Sequence, residues 1–211
     1  MYINGMDIRK KYFNGQEINK ALINGVNTLE VQPKIIASDS FNRADSVISL
    51  GKADTGQTWL SLDNCIFGIN KNRAFLELGG PSLWHITLET RVSDVNIEVD
   101  VTFSTGSGGG LIFRCSSRNS YLDALINPSG LVLRKNVAGT VSTMGSYSFT
   151  PIAKAIYHLK VALNGDDITV FLDGVQRISV TEPYNRIATL HGLRASPYGA
   201  YFDNFKVEGL A

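Results

Sequence analysis

Glu98 and Asp100 stand two residues apart in the stretch NIEVDVTF, so on a strand both carboxylates project from one face. Glycoside hydrolysis with retention uses two carboxyls ~5 Å apart. A second group of residues suits recognition. In Leu111-Ile112-Phe113-Arg114-Cys115, Arg114 shares a face with Ile112, and in Tyr121-Leu122-Asp123-Ala124-Leu125, Tyr121 shares one with Asp123. A charged side chain is rarely fully buried unless paired, so Arg114 marks an outer face or a paired site. The two segments should be neighbouring strands, which lets Arg114 and Asp123 pair across the sheet. His191, Arg194 and Tyr198 are placed to flank the same groove, and Trp59 and Trp84 are the remaining large rings. Planar hydrogen-bonding groups beside aromatic rings are what a shallow sugar-binding groove requires. A purely structural ion pair is an equal reading of Arg114 and Asp123. Trp59 reads as core, and a lone histidine such as His191 is more often structural than a ligand.

Other chemistries find little support. Cys65 and Cys115 lie fifty residues apart, and with His85, His158 and His191 they show no zinc-ligand spacing. Both cysteines read as buried, unreactive strand residues. There is no G-x-S-x-G elbow, P-loop or HExxH. Gly108-Gly109-Gly110 reads as a flexible turn rather than a phosphate loop. The chain has 211 residues with 20 Lys and Arg against 19 Asp and Glu, a net charge of +1. That balance lacks the basic excess of a nucleic-acid binder. No run of about 18 apolar residues predicts a membrane span. The opening MYINGMDIRK lacks the basic-then-apolar layout of a signal peptide, which points to assembly in a cytoplasm.

The elements that must position these residues read as strands. Ile97, Val99 and Val101 alternate with Glu98, Asp100 and Thr102. Asn127-Pro128-Ser129-Gly130, Asn164-Gly165 and Asp173-Gly174 are turn signals between β-rich runs. Short strands at regular spacing predict an all-β sandwich or barrel. Ile152, Ala155, Ile156 and Leu159 have helical spacing, with strand favoured from about Tyr157. Ahead of this domain, Asn4-Gly5, Asn14-Gly15 and Asn24-Gly25 recur every ten residues between apolar neighbours. Asn-Gly in that setting signals a tight hairpin, because both residues accept φ > 0. Three hairpins cannot bury enough surface to stand alone. Ile3, Ile8, Phe13, Ile18 and Ile23, with Leu29 and Val31, must pack on something else. That is a second copy or a larger particle; the other reading is an extension folded onto the main domain. Val31-Gln32-Pro33-Lys34 reads as a linker, dividing residues 1–34 from a sandwich of residues 35–211.

The repeats resemble the N-terminal ends of tailed-phage virion proteins. The segments DSFNRADSVISLGKADTGQTW, GGGLIFRCSSRNSYLDALI, LNGDDITVFLDGV and HGLRASPYGAYFDNFKV resemble a concanavalin A-like, laminin-G-like sandwich over roughly residues 36–209. The resemblance implies an antiparallel two-sheet jelly roll whose first and last strands pair, bringing Asp39 close to Asp203. It implies no required cofactor, with a structural calcium on Asp39 and Asp203 as an option. The glucanases of this superfamily carry E-x-D-x-(x)-E on their active strand. Here Thr102 and Phe103 stand where the second glutamate belongs, so Glu98 and Asp100 read as solvated residues and the chain as no enzyme. The resulting expectation is a virion structural protein, in tail, baseplate or capsid surface. It would bind bacterial surface polysaccharide through Arg114, Tyr121, Asp123, His191, Arg194 and Tyr198. Residues 1–34 would attach it to other virion proteins and to sister chains, in a homo-oligomer for which the resemblance suggests a trimer. The alternative is an adaptor or capsid decoration protein that binds no glycan. Exposed aromatics clustered beside Arg114 and Asp123 would favour the binder, and a flat apolar patch the adaptor.

Overall fold

The computed structural model describes residues 33–62, 64–78, 84–196 and 199–210, and residues 2–3, 6–7, 10–13, 16–23 and 26–31 by their strands alone. In that first part β1 (Tyr2–Ile3) pairs with β2 (Met6–Asp7), and β3 (Lys10–Phe13), β4 (Gln16–Ile23) and β5 (Val26–Val31) form a three-stranded sheet. Ile3 lies opposite Met6, Phe13 opposite Gln16 and Ile23 opposite Val26. Each ladder therefore leaves two residues between its strands, the spacing of a tight hairpin. The Asn-Gly pairs themselves fall outside the described residues, as does Ile8. The second and third repeats share β4 rather than forming separate hairpins.

Fifteen further strands follow: β6 (Ile35–Asp39), β7 (Leu60–Ser61), β8 (Ile66–Ile69), β9 (Ala74–Leu78), β10 (His85–Glu89), β11 (Val95–Phe103), β12 (Gly108–Ser117), β13 (Ser120–Asn127), β14 (Gly130–Val137), β15 (Thr140–Ser148), β16 (Ile156–Asn164), β17 (Asp167–Leu172), β18 (Val175–Thr181), β19 (Leu190–Ser196) and β20 (Ala200–Gly209). They build two antiparallel sheets packed as a jelly-roll sandwich. One sheet runs β15-β14-β13-β12-β19-β10-β7. The other runs β18-β17-β16-β11-β20-β9-β8, with β6 also paired to β20. There is no helix among the described residues. The helical spacing at Ile152–Leu159 yields turns followed by β16, because the chain from Ile156 is claimed by the ladder to β11.

The core follows the period of two. Val95, Ile97, Val99, Val101 and Phe103 point inward from β11, and Leu122, Ala124 and Ile126 meet them from β13. Burying a side chain of this size contributes about 1.5–3 kcal/mol. Trp59 also belongs to this core, with its ring 5.0 Å from that of Phe205.

The first and last strands pair as the resemblance implies; Asp39 lies opposite Phe205, two residues along from Asp203, and its charge acts on the Asp203 carboxyl. The D-x-F-N-R motif then has a physical role. Asp39 is buried and accepts from the Phe41 N–H at 2.9 Å and from Arg43 Nη1 and Nη2 at 2.7 and 2.8 Å. The Trp59 indole donates to it at 2.7 Å. These four donors saturate both carboxylate oxygens.

Candidate functional site

The outer face of the seven-stranded sheet carries the polar side chains that the core face excludes. Alternation along β13 turns Tyr121, Asp123 and Leu125 to this face. The turn Asn127-Pro128-Ser129-Gly130 folds β14 back onto β13, with Asn127 opposite Gly130. Four residues back and four residues on, Asp123 and Arg134 then meet across the ladder. Their contact is bidentate: Arg134 Nε donates to Asp123 Oδ1 at 2.9 Å and Nη2 to Oδ2 at 2.7 Å. On the other side of β13, Ile112 of β12 lies opposite Asp123, and two strands away from β13 β19 contributes Arg194. Arg194 Nε approaches Asp123 Oδ2 to 3.5 Å. Two guanidinium groups thus converge on one carboxylate.

Small residues allow this convergence. Arg194 lies opposite Gly110, whose own neighbour on β13 is Leu125. A Cβ on Gly110 would sit 2.0 Å from the Ala124 carbonyl, and one on Gly192 would sit 2.0 Å from that of Ile86. Both glycines are therefore required by the close approach of the adjacent strands.

The cluster is graded from open to closed. The Arg134 side chain is 25% exposed, while Arg194 is 7% exposed and Asp123 is buried. Burial acts to lower the pKa of Arg134, but the hydrogen bonds it donates to Asp123 and the charge of Asp123 together outweigh it and raise the value. Arg194 Nε and Nη1 are enclosed without a hydrogen bond. Around them on the same face lie His85, opposite Arg194 in the β10–β19 ladder, and Tyr121, whose ring is 5.3 Å from that of His85. Asn136, opposite Tyr121, is also buried.

The expected site residues separate into three groups. Asp123 and Arg194 come together, with Tyr121 beside them but only 2% exposed and packed against Ile112 and Cys115. Tyr121 is thus part of the wall and offers no open stacking surface. Arg114 and His191 come together elsewhere. The Arg114–Asp123 pair does not form; Arg134 takes that place, because the β12 ladder shifts register where Arg114 adopts φ +46°. Fully buried, Arg114 Nη2 donates to Gly165 O, its Nη1 to Glu182 O at 3.4 Å, and Nη2 reaches Asp94 Oδ1 at 3.5 Å. Burial lowers its pKa, with Asp94 opposing. It ties the turn at Gly165 and the segment at Glu182 to the sheet, and cannot line an open groove. His191 is equally enclosed: Nδ1 accepts from the Arg114 N–H at 3.3 Å and Nε2 donates to Val92 O at 3.1 Å. Burial lowers its pKa to about 4. Tyr198 lies outside the described residues.

Arg134 was missed although the signal was present, since counting outward from the 127–130 turn places it opposite Asp123. The exposed aromatics that would favour a glycan binder over an adaptor are not seen beside Arg114 and Asp123 among the described residues, and Trp84 is partly buried against the core, so this feature does not favour the binder.

The calcium expectation is corrected. The oxygens of Asp39 are spent on Arg43, Trp59 and the Phe41 N–H, leaving no lone pair for a cation that takes six to eight oxygens. No group of three His, Cys, Asp or Glu among the described residues is arranged to hold a metal. Burial and the nearby Asp100 raise the Asp203 pKa, against the Asn204 N–H that hydrogen-bonds it.

Glu98 and Asp100 lie on the outer face of the other sheet. Burial pushes the Glu98 pKa up, but Lys160 and Lys206, at 3.1 and 3.2 Å, outweigh it and hold the value below the usual carboxylate range. Asp100 binds His158 Nδ1 and Asn204 Nδ2, both at 2.8 Å. A cleft of about 350 Å³ borders these residues, lined also by Ser40 and Asp54. Glu98 is held by two lysines, and a glutamate held ionised is a poor proton donor. Cys65, just ahead of β8, and Cys115, in β12, are both buried, and burial pushes the Cys115 thiol up to about 12.

No protein-family model matches the sequence, and no curated protein matches it. Solved structures do match in fold. The carbohydrate-binding module CBM66 from Bacillus subtilis superposes with a TM-score of 0.53 at 19% identity, covering 83% of this chain and 98% of that one. Domain 4 of AbnA, a GH43 extracellular arabinanase from Geobacillus stearothermophilus solved with arabinotriose, gives 0.53 at 14%, covering 84% and 93%. LamAcat from Zobellia galactanivorans gives 0.54 at 10%, covering 83% and 97%. At these identities the likeness is one of fold: an antiparallel two-sheet jelly-roll sandwich.

Proposed function

We propose that the protein is a phage virion component that binds a bacterial surface polysaccharide, without cleaving it, through the outer face of the seven-stranded sheet. The observation that carries this is the Asp123–Arg134–Arg194 cluster. It brings a carboxylate and two planar, forked donors together on one face, with Arg134 the partly exposed member, the group types that hold vicinal sugar hydroxyls. The fold supports the reading, since proteins of similar architecture include a carbohydrate-binding module and an arabinanase domain solved with arabinotriose. Glu98, held ionised by Lys160 and Lys206, favours binding over hydrolysis.

In this reading residues 1–34 attach the chain to other virion proteins and to sister chains. Repeated display then amplifies weak sites, gaining ~10²–10⁴ in avidity without a new contact. The test is an array of bacterial cell-wall polysaccharides probed with the full-length protein and with Arg134→Ala. Specific binding that drops by about tenfold or more in the variant is expected, as for loss of a charge-assisted contact. Binding that survives in a folded Arg134→Ala protein would move the site off this face. No binding by the wild type would favour the adaptor or decoration role, for which exposed Ile152 and Ile156 offer apolar contact surface.

A further inference from the structure

The cluster on the outer face is unbalanced in charge. Arg134 and Arg194 carry two positive charges, and Asp123 carries one negative charge. Among the described residues Asp123 is the only carboxylate within ion-pairing distance of either guanidinium. Arg134 satisfies Asp123 with two short hydrogen bonds, so Arg194 at 3.5 Å is the poorly matched partner. Its Nε and Nη1 are enclosed with no hydrogen bond, on a residue 7% exposed. Water therefore compensates little of this charge, and a buried cation without a full partner is costly. Among the other described clusters, Glu98 has two lysines and Asp39 has Arg43 and the Trp59 indole, while buried Arg114, whose Nε also lacks a hydrogen bond, donates through its Nη atoms to the Gly165 and Glu182 carbonyls.

We propose that the glycan taken by this face is acidic, with an oxyanion of the sugar or its substituent held at Arg134 in the field of the enclosed Arg194. This rests on the glycan-binding role of the face. Both guanidinium groups meet at Asp123 Oδ2, and Arg134 is a quarter exposed, so an oxyanion bound at this face meets Arg134 and feels the charge of Arg194 behind it. Guanidinium forks match carboxylate and phosphate oxygens alike. The required chemistry is a singly charged oxyanion, supplied by a uronic acid or by a phosphodiester in a polyol-phosphate polymer. His85 and Tyr121, the titratable groups beside Arg194 and Asp123 on this face, add no second carboxylate.

The test measures binding of the full-length protein by calorimetry to oligogalacturonate, its methyl ester, poly(glycerol phosphate) and a neutral galactan oligosaccharide. The expected result is binding of at least one acidic probe, with the ester and the neutral oligosaccharide weaker by about tenfold or more. Oligogalacturonate alone would identify the carboxylate as the source, and poly(glycerol phosphate) alone the phosphodiester. Arg194→Gln should lose that preference, and Arg194→Lys, which keeps the charge, should regain part of it. Because the wild-type comparison of acid with ester needs no variant, misfolding of Arg194→Gln leaves the test intact. Equal binding of acid and ester, abolished in Arg134→Ala, would overturn the acidic preference while leaving the glycan face in place. No binding of any probe by the folded protein would overturn the acidic preference, and the polysaccharide array then decides separately whether the face binds glycan at all.

Discussion

His191 shows how a single enclosed residue makes this fold sensitive to pH. Its ring is fixed between the Arg114 N–H and the Val92 carbonyl, with one nitrogen accepting and the other donating. A proton on Nδ1 would destroy the first bond and place a cation near Arg114. The folded-state pKa is lowered to about 4 from an unfolded value of 6.5. The folded state therefore binds fewer protons than the unfolded chain between these values. The stability associated with His191 is complete above pH 6.5 and is lost as pH falls toward 4, by about 3 kcal/mol in all at ~1.4 kcal/mol per unit. Urea unfolding between pH 7.5 and 5 checks this. The midpoint should fall with pH in the wild type and fall less steeply in His191→Asn, and equal slopes in the two proteins would sink the argument. The acidic side chains with lowered pKa, Glu98 among them, lose their contribution at lower pH, from their unfolded values down through their lowered folded ones.

Strands β12, β13 and β19 decide the geometry of the site more than any one side chain in it. Glycine at 110 lets β12 approach β13, and glycine at 192 lets β19 approach β10, more closely than a methyl group would allow. Gly110→Ala would drive a Cβ against the Ala124 carbonyl, one residue along from Asp123. Displacement of β13 should cost about 1–3 kcal/mol, the usual range for overpacking. It should also weaken glycan binding, since Asp123 moves with the strand. Thermal unfolding and the polysaccharide array measure the two effects, and a variant as stable as wild type would show that the ladder is more pliant than the contact distance implies.

At the scale of the whole molecule, the N-terminal ladders and the sandwich divide the proposed labour between attachment and recognition. Five short strands in two small sheets offer little surface for an independent core. A chain beginning at residue 35 should keep a cooperative melting transition and sediment as a monomer, while the full chain sediments as an oligomer. Sedimentation velocity on the two forms distinguishes them. A full-length chain that is monomeric at micromolar concentration would remove self-association from the proposed role of residues 1–34.

The sequence by itself determined the class of fold, because strand alternation and turn chemistry are local. The period of two in Val95–Phe103 and the turns at 127–130, 164–165 and 173–174 each act within a few residues. It also held Asp123 and Arg194, and through the 127–130 turn it held Arg134. Only the tertiary structure decided which cation meets Asp123. That choice turns on a register shift and a positive φ at Arg114, which depend on β19 and on segments fifty to seventy residues away. The same is true of Asp39. Its carboxylate suits a cation when read alone, and is closed to one once Trp59 and Arg43 are folded against it. Burial and pairing across the sheet are properties of the packed chain, so side chains of one chemical type acquire different roles there.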